Sequence, residues 1–126
     1  HKGDWRKGKA RNFGWEAHNP LIPVFIEGKK GGTLPLSQCF CSLDKSNVML
    51  LTLKTAEDGK GMIIRLIETE GIETLVTVRL PFVTISEAYL TNLVEEDEKN
   101  LSAEKDSLKV PIKAFGISTI RIKAAQ

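Results

Sequence analysis

Three aromatic residues near the start of the chain lie among basic residues and could bind a ligand. These aromatic residues are Trp5, Phe13 and Trp15, and the basic residues are Lys2, Arg6, Lys7, Lys9 and Arg11. Indole rings in a polar segment can stack on sugar rings or bases, and neighbouring cations can bind phosphate. In a segment with little apolar pattern of its own, large aromatic residues more often pack against a neighbouring surface. We therefore expect packing or interdomain contact first, carbohydrate stacking second and nucleic-acid binding last.

Carboxylates that could act as a general acid and base occur at Glu68, Glu70 and Glu73. They flank a predicted turn, where carboxylates are usually solvated. The number of carboxylates alone does not exclude a glycosidase-type acid and base, since that pair needs only two of them. The sequence has no glycine-rich phosphate loop after a strand, no His-Glu-x-x-His and no Gly-x-Ser-x-Gly motif. We predict no catalytic pair within this chain.

The two cysteines, Cys39 and Cys41, are two residues apart. On a strand their side chains would be parallel and poorly oriented for a disulfide. We expect them to be core thiols; the alternative is a soft-metal site, for which His1 and His18 are the only further histidines. Unpaired thiols favour a reducing compartment, so we expect a cytoplasmic protein.

Composition gives a weak indication of partners. The formal net charge is +2, with 41% hydrophobic and 27% charged residues, and no apolar run approaches the length of a membrane span. We therefore expect neither a membrane nor a nucleic-acid partner, and we interpret the acidic run at residues 95–98 as solvated. Because the chain begins with His1 rather than Met, we expect it to be part of a longer polypeptide.

The stretch from Asn47 to Leu80 indicates the fold class. It reads as three antiparallel strands in a meander, with one turn at residues 56–61 and another at Glu70 and Gly71. The glycines at 59, 61 and 71 allow the positive φ angles that such turns require. Residues 72, 74, 76, 78 and 80 alternate with a more polar face, so one face of the sheet must contact a second layer.

Shorter strands are predicted on both sides of this stretch. We expect strands at residues 21–27 and 36–43, a turn at residues 28–32, a strand rather than a helix within 82–92, and a polar connection at residues 95–107. The apolar pattern of the final segment changes phase, which indicates a bulge or bend near Gly116-Ile117-Ser118. The prediction is all-β: an antiparallel β-sandwich of about eight short strands over residues 21–126, with an extended N-terminal arm over residues 1–20.

Several of these stretches together resemble the C-terminal region of glycoside hydrolase family 38 α-mannosidases. The resemblance lies in five places: His1-Lys2-Gly3-Asp4-Trp5, Glu16-Ala17-His18-Asn19-Pro20-Leu21, the pair Leu53–Gly59 and Ile64–Gly71, Asn92–Glu96, and Phe115–Ile122. These places follow one another in the order expected of that family.

The resemblance implies a noncatalytic β-sandwich that supports the catalytic domain of the same polypeptide. In such an enzyme, a retaining α-mannosidase, the aspartate nucleophile and the zinc ligands would lie in that catalytic domain, so no catalytic, cofactor or metal residue is expected here. Mannose-containing glycans are a further expected partner, and a carbohydrate-binding module that uses Trp5 and Trp15 is the alternative function. The candidate interdomain or carbohydrate contacts are Asp4, Trp5, Trp15, Arg65 and Glu68.

Arg65 and Glu68 are three positions apart on a predicted strand, so their side chains would point to opposite faces. Each would then need its own partner, most simply a residue on a neighbouring strand.

Overall fold

The computed structural model describes residues 3–28 and 31–125. His1 and Lys2 of the N-terminal match, and Lys29 and Lys30 of the predicted turn at 28–32, lie outside the described residues. The chain forms two compact units, His1–Leu36 and Ser37–Gln126. The domain boundary predicted after residue 20 stays a prediction.

The described residues of the N-terminal unit contain one helix, so the predicted extended arm is wrong over this part. Helix α1 covers Ala10–His18 and ends at Asn19, whose backbone N–H donates to the carbonyl of Trp15. Pro20 disfavours helical geometry only at the residue before it, while Ala10, Arg11 and Ala17 are good helix formers. The proline therefore ends a helix here and does not prevent one. No described helix is long and apolar enough to cross a bilayer.

The C-terminal unit is an antiparallel β-sandwich, as predicted, and its described residues form nine strands. They are β1 (Ser42–Leu43), β2 (Val48–Thr55), β3 (Met62–Glu68), β4 (Thr74–Arg79), β5 (Ile85–Thr91), β6 (Asp97–Leu101), β7 (Ala103–Glu104), β8 (Ser107–Ile112) and β9 (Ile117–Ala124). One sheet has the order β1-β4-β8-β7 and the other β2-β3-β9-β5-β6. The strand favoured within residues 82–92 is confirmed as β5.

The core lies between the two sheets. Paired residues carry their side chains on the same face, so register places Ile64 beside Ile120 in one sheet and Val76 beside Val110 in the other. All four side chains are fully buried. These rows of branched apolar side chains explain why the phase of each strand is fixed, since a slip of one residue would turn them to solvent.

The predicted meander is wrong at its second turn. Strands β2 and β3 form a hairpin, but β4 belongs to the other sheet, so the turn around Gly71 carries the chain across the sandwich. The phase change near Gly116 has the same origin, because the chain crosses there from β8 to β9. A turn residue marks a reversal, but it does not specify which sheet receives the next strand.

The turn glycines have the predicted backbone geometry. Gly59, Gly61 and Gly71 have φ angles of 72°, 97° and 79°. At Gly61 a Cβ atom would also collide with the carbonyl oxygen of Ile122 in the central strand β9. Close packing of the β2–β3 turn on β9 therefore requires glycine at this position.

Other expectations about strands and cysteines are corrected. Residues 21–27 form neither helix nor strand, residues 36–43 contain only the short β1, and the polar connection at 95–107 contains β6 and β7. Because residues 37–41 are not a strand, the two cysteines do not share a buried face. Cys39 is exposed and Cys41 half-buried against the core, and both are free thiols.

Candidate functional site

Three of the predicted contact residues lie in the N-terminal unit. Asp4 accepts hydrogen bonds from the backbone N–H groups of Arg6 and Lys7, at 3.0 and 2.9 Å, and so stabilises the turn before α1. The Arg6 guanidinium lies 4.4 Å from the centre of the Trp5 ring and covers part of one indole face. Trp5 and Trp15 remain 43% and 38% exposed. Both indoles therefore keep accessible surface for a partner or a sugar.

Arg65 lies on the outer face of the five-stranded sheet. Its Nε donates to Oγ1 of Thr119 on β9, at 3.2 Å, and its Nη2 donates to the carbonyl of Leu93, at 3.1 Å. Thr119 is the residue that pairs with Arg65 in the ladder. Arg65 thus holds the loop between β5 and β6 against the sheet.

Glu68, the last residue of β3, is a buried carboxylate at the sheet crossing. Its Oε1 accepts hydrogen bonds from the backbone N–H of Glu70 at 2.7 Å and from the side-chain amide of Asn47 at 2.9 Å. Its Oε2 accepts from the backbone N–H groups of Gly71, Ile72 and Phe115, at 2.8, 3.2 and 2.9 Å. The Glu68 carboxylate therefore connects two of the places where the chain crosses between the sheets, β3 to β4 and β8 to β9.

These contacts determine the protonation state of Glu68. Burial by itself would raise the pKa of this carboxyl group, but the hydrogen bonds from Phe115, Glu70, Asn47 and Gly71 outweigh that effect and lower the pKa to about 2. At neutral pH the group has no proton to donate, and it is too weak a base to take one efficiently. Glu68 is suited to holding backbone and not to acid–base chemistry.

A second charged site, which the sequence reasoning missed, is built around Arg121 on β9. Its Nη1 pairs with Asp58 at 2.7 Å and donates to the carbonyl of Lys60 at 3.0 Å, while its Nε pairs with Asp97 at 2.9 Å. Its Nη2 donates to the carbonyl of Glu95 at 2.6 Å. The hydrogen bond with Asp58 is the main reason that the pKa of Arg121 is raised. A lone arginine between Ile120 and Ile122 was the available sequence signal, since it puts one charge on the outer face of a buried strand.

Glu95 extends this site towards β2. Its carboxylate pairs with Lys54 at 2.8 Å and accepts a hydrogen bond from the backbone N–H of Glu57, also at 2.8 Å. Lys54 makes a further ion pair with the side chain of Glu57. The contact with Lys54 is the main reason that the pKa of Glu95 is lowered. Two residues of the acidic run, Glu95 and Asp97, are therefore engaged in the domain and are not merely solvated.

One comparison with known proteins identifies the chain. A family model described as "Glycosyl hydrolases family 38 C-terminal beta sandwich domain" matches residues 47–120, more than half of the chain. The chain belongs to this family. Among curated proteins, none matches the sequence significantly.

The match to the family 38 C-terminal domain includes Glu68 and Arg65 but not the N-terminal unit. It covers β2 to β8 and the first half of β9, and it ends one residue before Arg121. Asp4, Trp5 and Trp15 lie outside the matched region. Their candidate roles stay predictions.

The family 38 domain also has an open depression on the outer face of its five-stranded sheet. Its volume is about 510 Å³, and its lining includes Thr91, Leu93, Val94, Ile117 and Thr119. Leu93, Val94 and Ile117 are 62%, 75% and 49% exposed, and the buried Thr91 hydroxyl has no hydrogen-bond partner within the described part of the chain. The lining also includes the polar residues Asn92 and Glu98. Because the depression exposes three large apolar side chains, it suits contact with a protein surface.

No group of three or more His, Cys, Asp or Glu side chains among residues 3–28 and 31–125 is arranged to hold a metal ion. The carboxylates of Asp58 and Asp97 both contact Arg121, so the guanidinium occupies the position that a cation would need. The described residues therefore do not fit a zinc site.

Proposed function

We propose that this chain is a noncatalytic accessory domain that supports the catalytic domain of an α-mannosidase-like glycoside hydrolase in the same polypeptide. The observation that carries the proposal is the family match, because it covers most of the sandwich. In this proposal the zinc ion and the aspartate nucleophile belong to the catalytic domain. This chain provides a stable surface on which that domain rests.

The contacts of the buried charges support a mechanical role. Glu68 and Arg121 are 1% and 6% exposed, and their hydrogen bonds go to residues of the sandwich itself. Such contacts fix the loops of the domain but leave these two groups unable to reach a substrate. Free thiols at Cys39 and Cys41 also lead us to propose a cytoplasmic location.

The depression around Val94 is the surface that we propose for contact with the catalytic domain. It contains exposed apolar side chains beside a rigid, hydrogen-bonded sheet, which is the usual composition at the centre of an interface. Arg65 holds the backbone of Leu93 in place at its border.

The test uses this chain and the enzyme expressed from its complete reading frame. We expect the chain alone to release no nitrophenol from 4-nitrophenyl α-mannoside with added zinc, and the complete enzyme to do so. Turnover by purified chain, lost on chelation, would refute the accessory role.

Substitutions in the complete enzyme test the contact surface. Val94→Asp should lower the melting temperature or the activity of the enzyme. Leu75→Asp, which changes an exposed apolar residue of the other sheet, should lower neither. Neither variant should change the unfolding of the chain alone by more than about 0.5 kcal/mol.

The alternative, a carbohydrate-binding module, is favoured by the partly exposed indoles of Trp5 and Trp15. These are the only two tryptophans of the chain, so indole fluorescence reports on the N-terminal unit alone. A saturable fluorescence change with mannose oligosaccharides that disappears in Trp5→Ala or Trp15→Ala would establish this function. The accessory-domain proposal predicts no saturable change.

A further inference from the structure

The segment from Leu21 to Ile26, here called the apolar segment, follows α1 in the sequence and is exposed. Its large side chains are 70% to 98% exposed: Leu21, Ile22, Val24, Phe25 and Ile26. The large side chains at odd positions are 94% and 98% exposed and those at even positions 70% to 87%, so neither face is covered by the described residues of the N-terminal unit. Monomeric proteins rarely expose so many consecutive large apolar residues unless they form a binding surface.

The composition of the apolar segment is that of a strand buried on both faces. Such strands are short, continuous apolar runs rich in β-branched residues, in contrast to the alternating pattern of strands with one wet face. Residues 21–26 have no regular secondary structure, and no backbone hydrogen bond joins them to another described residue. Their backbone groups are therefore available to a partner strand.

Pro23 determines which side of the apolar segment can pair. In an extended chain the N–H groups of residues 22, 24 and 26 point to one side, and those of residues 21, 23 and 25 to the other. Pro23 has no N–H group, so the odd side cannot form a continuous ladder. Ile22, Val24 and Ile26 form the side that can pair fully.

We propose that the apolar segment adds as a strand to an open sheet edge of the catalytic part of the glycoside hydrolase, pairing through Ile22, Val24 and Ile26. This inference rests on the proposed function. The matched family domain is a C-terminal domain and begins at residue 47, so the apolar segment lies on the side of the sequence where the rest of such an enzyme would be. Strand addition supplies backbone hydrogen bonds, and the second layer of that sheet would cover the apolar side chains.

A second copy of this chain is a less suitable partner for the apolar segment. Two such segments paired with each other would form an isolated two-stranded ribbon with both faces still exposed to water, and such ribbons are marginally stable. The side chains need an existing sheet with a layer on each face.

Hydrogen exchange measured by mass spectrometry on the complete enzyme and on this chain tests the inference. We expect the amides of residues 22, 24 and 26 to exchange at least about 100-fold more slowly in the complete enzyme than in the chain alone. Equal, fast exchange in both would overturn the proposal. Slow exchange in the chain alone would also overturn it, and light scattering would then show whether a dimer is the cause.

Matched substitutions in the complete enzyme separate backbone pairing from side-chain packing. Val24→Pro removes an N–H on the pairing side and should reduce the protection of Ile22 and Ile26 at least about 10-fold more than Val24→Ala. Phe25→Pro removes an N–H on the other side of the segment, so it should reduce the protection of Ile22 and Ile26 no more than Phe25→Ala does. Equal effects of Val24→Pro and Val24→Ala would contradict strand pairing.

Failure of this inference can be distinguished from failure of the proposed function. A reading frame that encodes no catalytic domain would refute both, whereas unprotected amides in an active enzyme would refute this inference alone.

Discussion

Glu68 and Arg121 are both buried charges, but their partners differ in kind. The Glu68 carboxylate accepts four backbone N–H groups and one side-chain amide, all of them neutral donors. The Arg121 guanidinium contacts two carboxylates and two backbone carbonyls. The first site holds a charge with oriented backbone dipoles, and the second balances a charge with opposite charges.

This difference determines what each site loses when its charge is removed. The donors around Glu68 belong to turns whose backbone would have to move to reach another acceptor. Asp58 and Asp97 have side chains that are 46% and 38% exposed, so water can take the place of the guanidinium. We therefore expect the fold to depend more on Glu68 than on Arg121.

The largest expected effect is that of Glu68→Gln. The amide keeps the shape of the side chain but turns an N–H₂ group towards backbone donors, and so leaves buried N–H groups without acceptors. We expect the free energy of unfolding to fall by about 3 kcal/mol. Urea unfolding followed by circular dichroism measures it, since both tryptophans lie outside the sandwich.

Glu73→Gln is the matched control for this substitution. Glu73 is an exposed glutamate in the same turn region, and its replacement should change the unfolding free energy by less than about 0.5 kcal/mol. If the two variants were equally stable, the Glu68 contacts would not hold the sheet crossings.

Lowering the pH should also lower the free energy of unfolding through Glu68, by somewhat less than the Glu68→Gln substitution does. The pKa of Glu68 is about 2 in the folded protein, against an ordinary value of 4.5, so between these values the unfolded chain binds more protons. The stabilisation is complete above pH 4.5 and is lost as the pH falls towards 2. The full shift corresponds to about 3 kcal/mol, and because the folded carboxyl group is still partly ionised at pH 2, we expect a loss of about 2 to 3 kcal/mol over this range.

The difference between two proteins isolates this effect from other titrating groups. The wild-type chain should lose about 2 to 3 kcal/mol more than Glu68→Gln when unfolding is measured at pH values from about 5 to about 2. Parallel losses in the two proteins would show that the Glu68 pKa is not lowered in the folded state.

The sequence was sufficient to predict the sandwich and its turn glycines, because alternation and positive-φ residues are local signals. It was not sufficient to predict the strand order. The glycine at residue 71 marks a reversal, but the capture of the Phe115 N–H by Glu68 joins residues 47 positions apart. No local pattern contains that contact, so the crossing to the other sheet was misread as a meander.

The Arg121 site was missed for a related reason. Its partners come from the β2–β3 turn and from the start of β6, and they are separated from Arg121 by 63 and 24 positions. The acidic run that supplies Asp97 looked like a solvated loop when considered alone. In the N-terminal unit the error was local, because Asn19 and Pro20 were interpreted as excluding helix where they end one.

The smallest expected effect in this comparison is that of Arg121→Met. Methionine keeps the apolar stem of the side chain, and Asp58 and Asp97 can return to water, so we expect a loss of about 1 to 2 kcal/mol. Arg79→Met, which removes an exposed arginine paired with Asp106, should cost less than about 0.5 kcal/mol.

Unfolding at about 0.05 M and about 0.5 M NaCl sharpens the comparison, because salt screens partly exposed ion pairs. The cost of Arg121→Met should shrink at high salt while that of Glu68→Gln stays constant, since its donors are neutral. Equal salt dependence of the two costs would mean that the two sites do not differ in the way their contacts indicate.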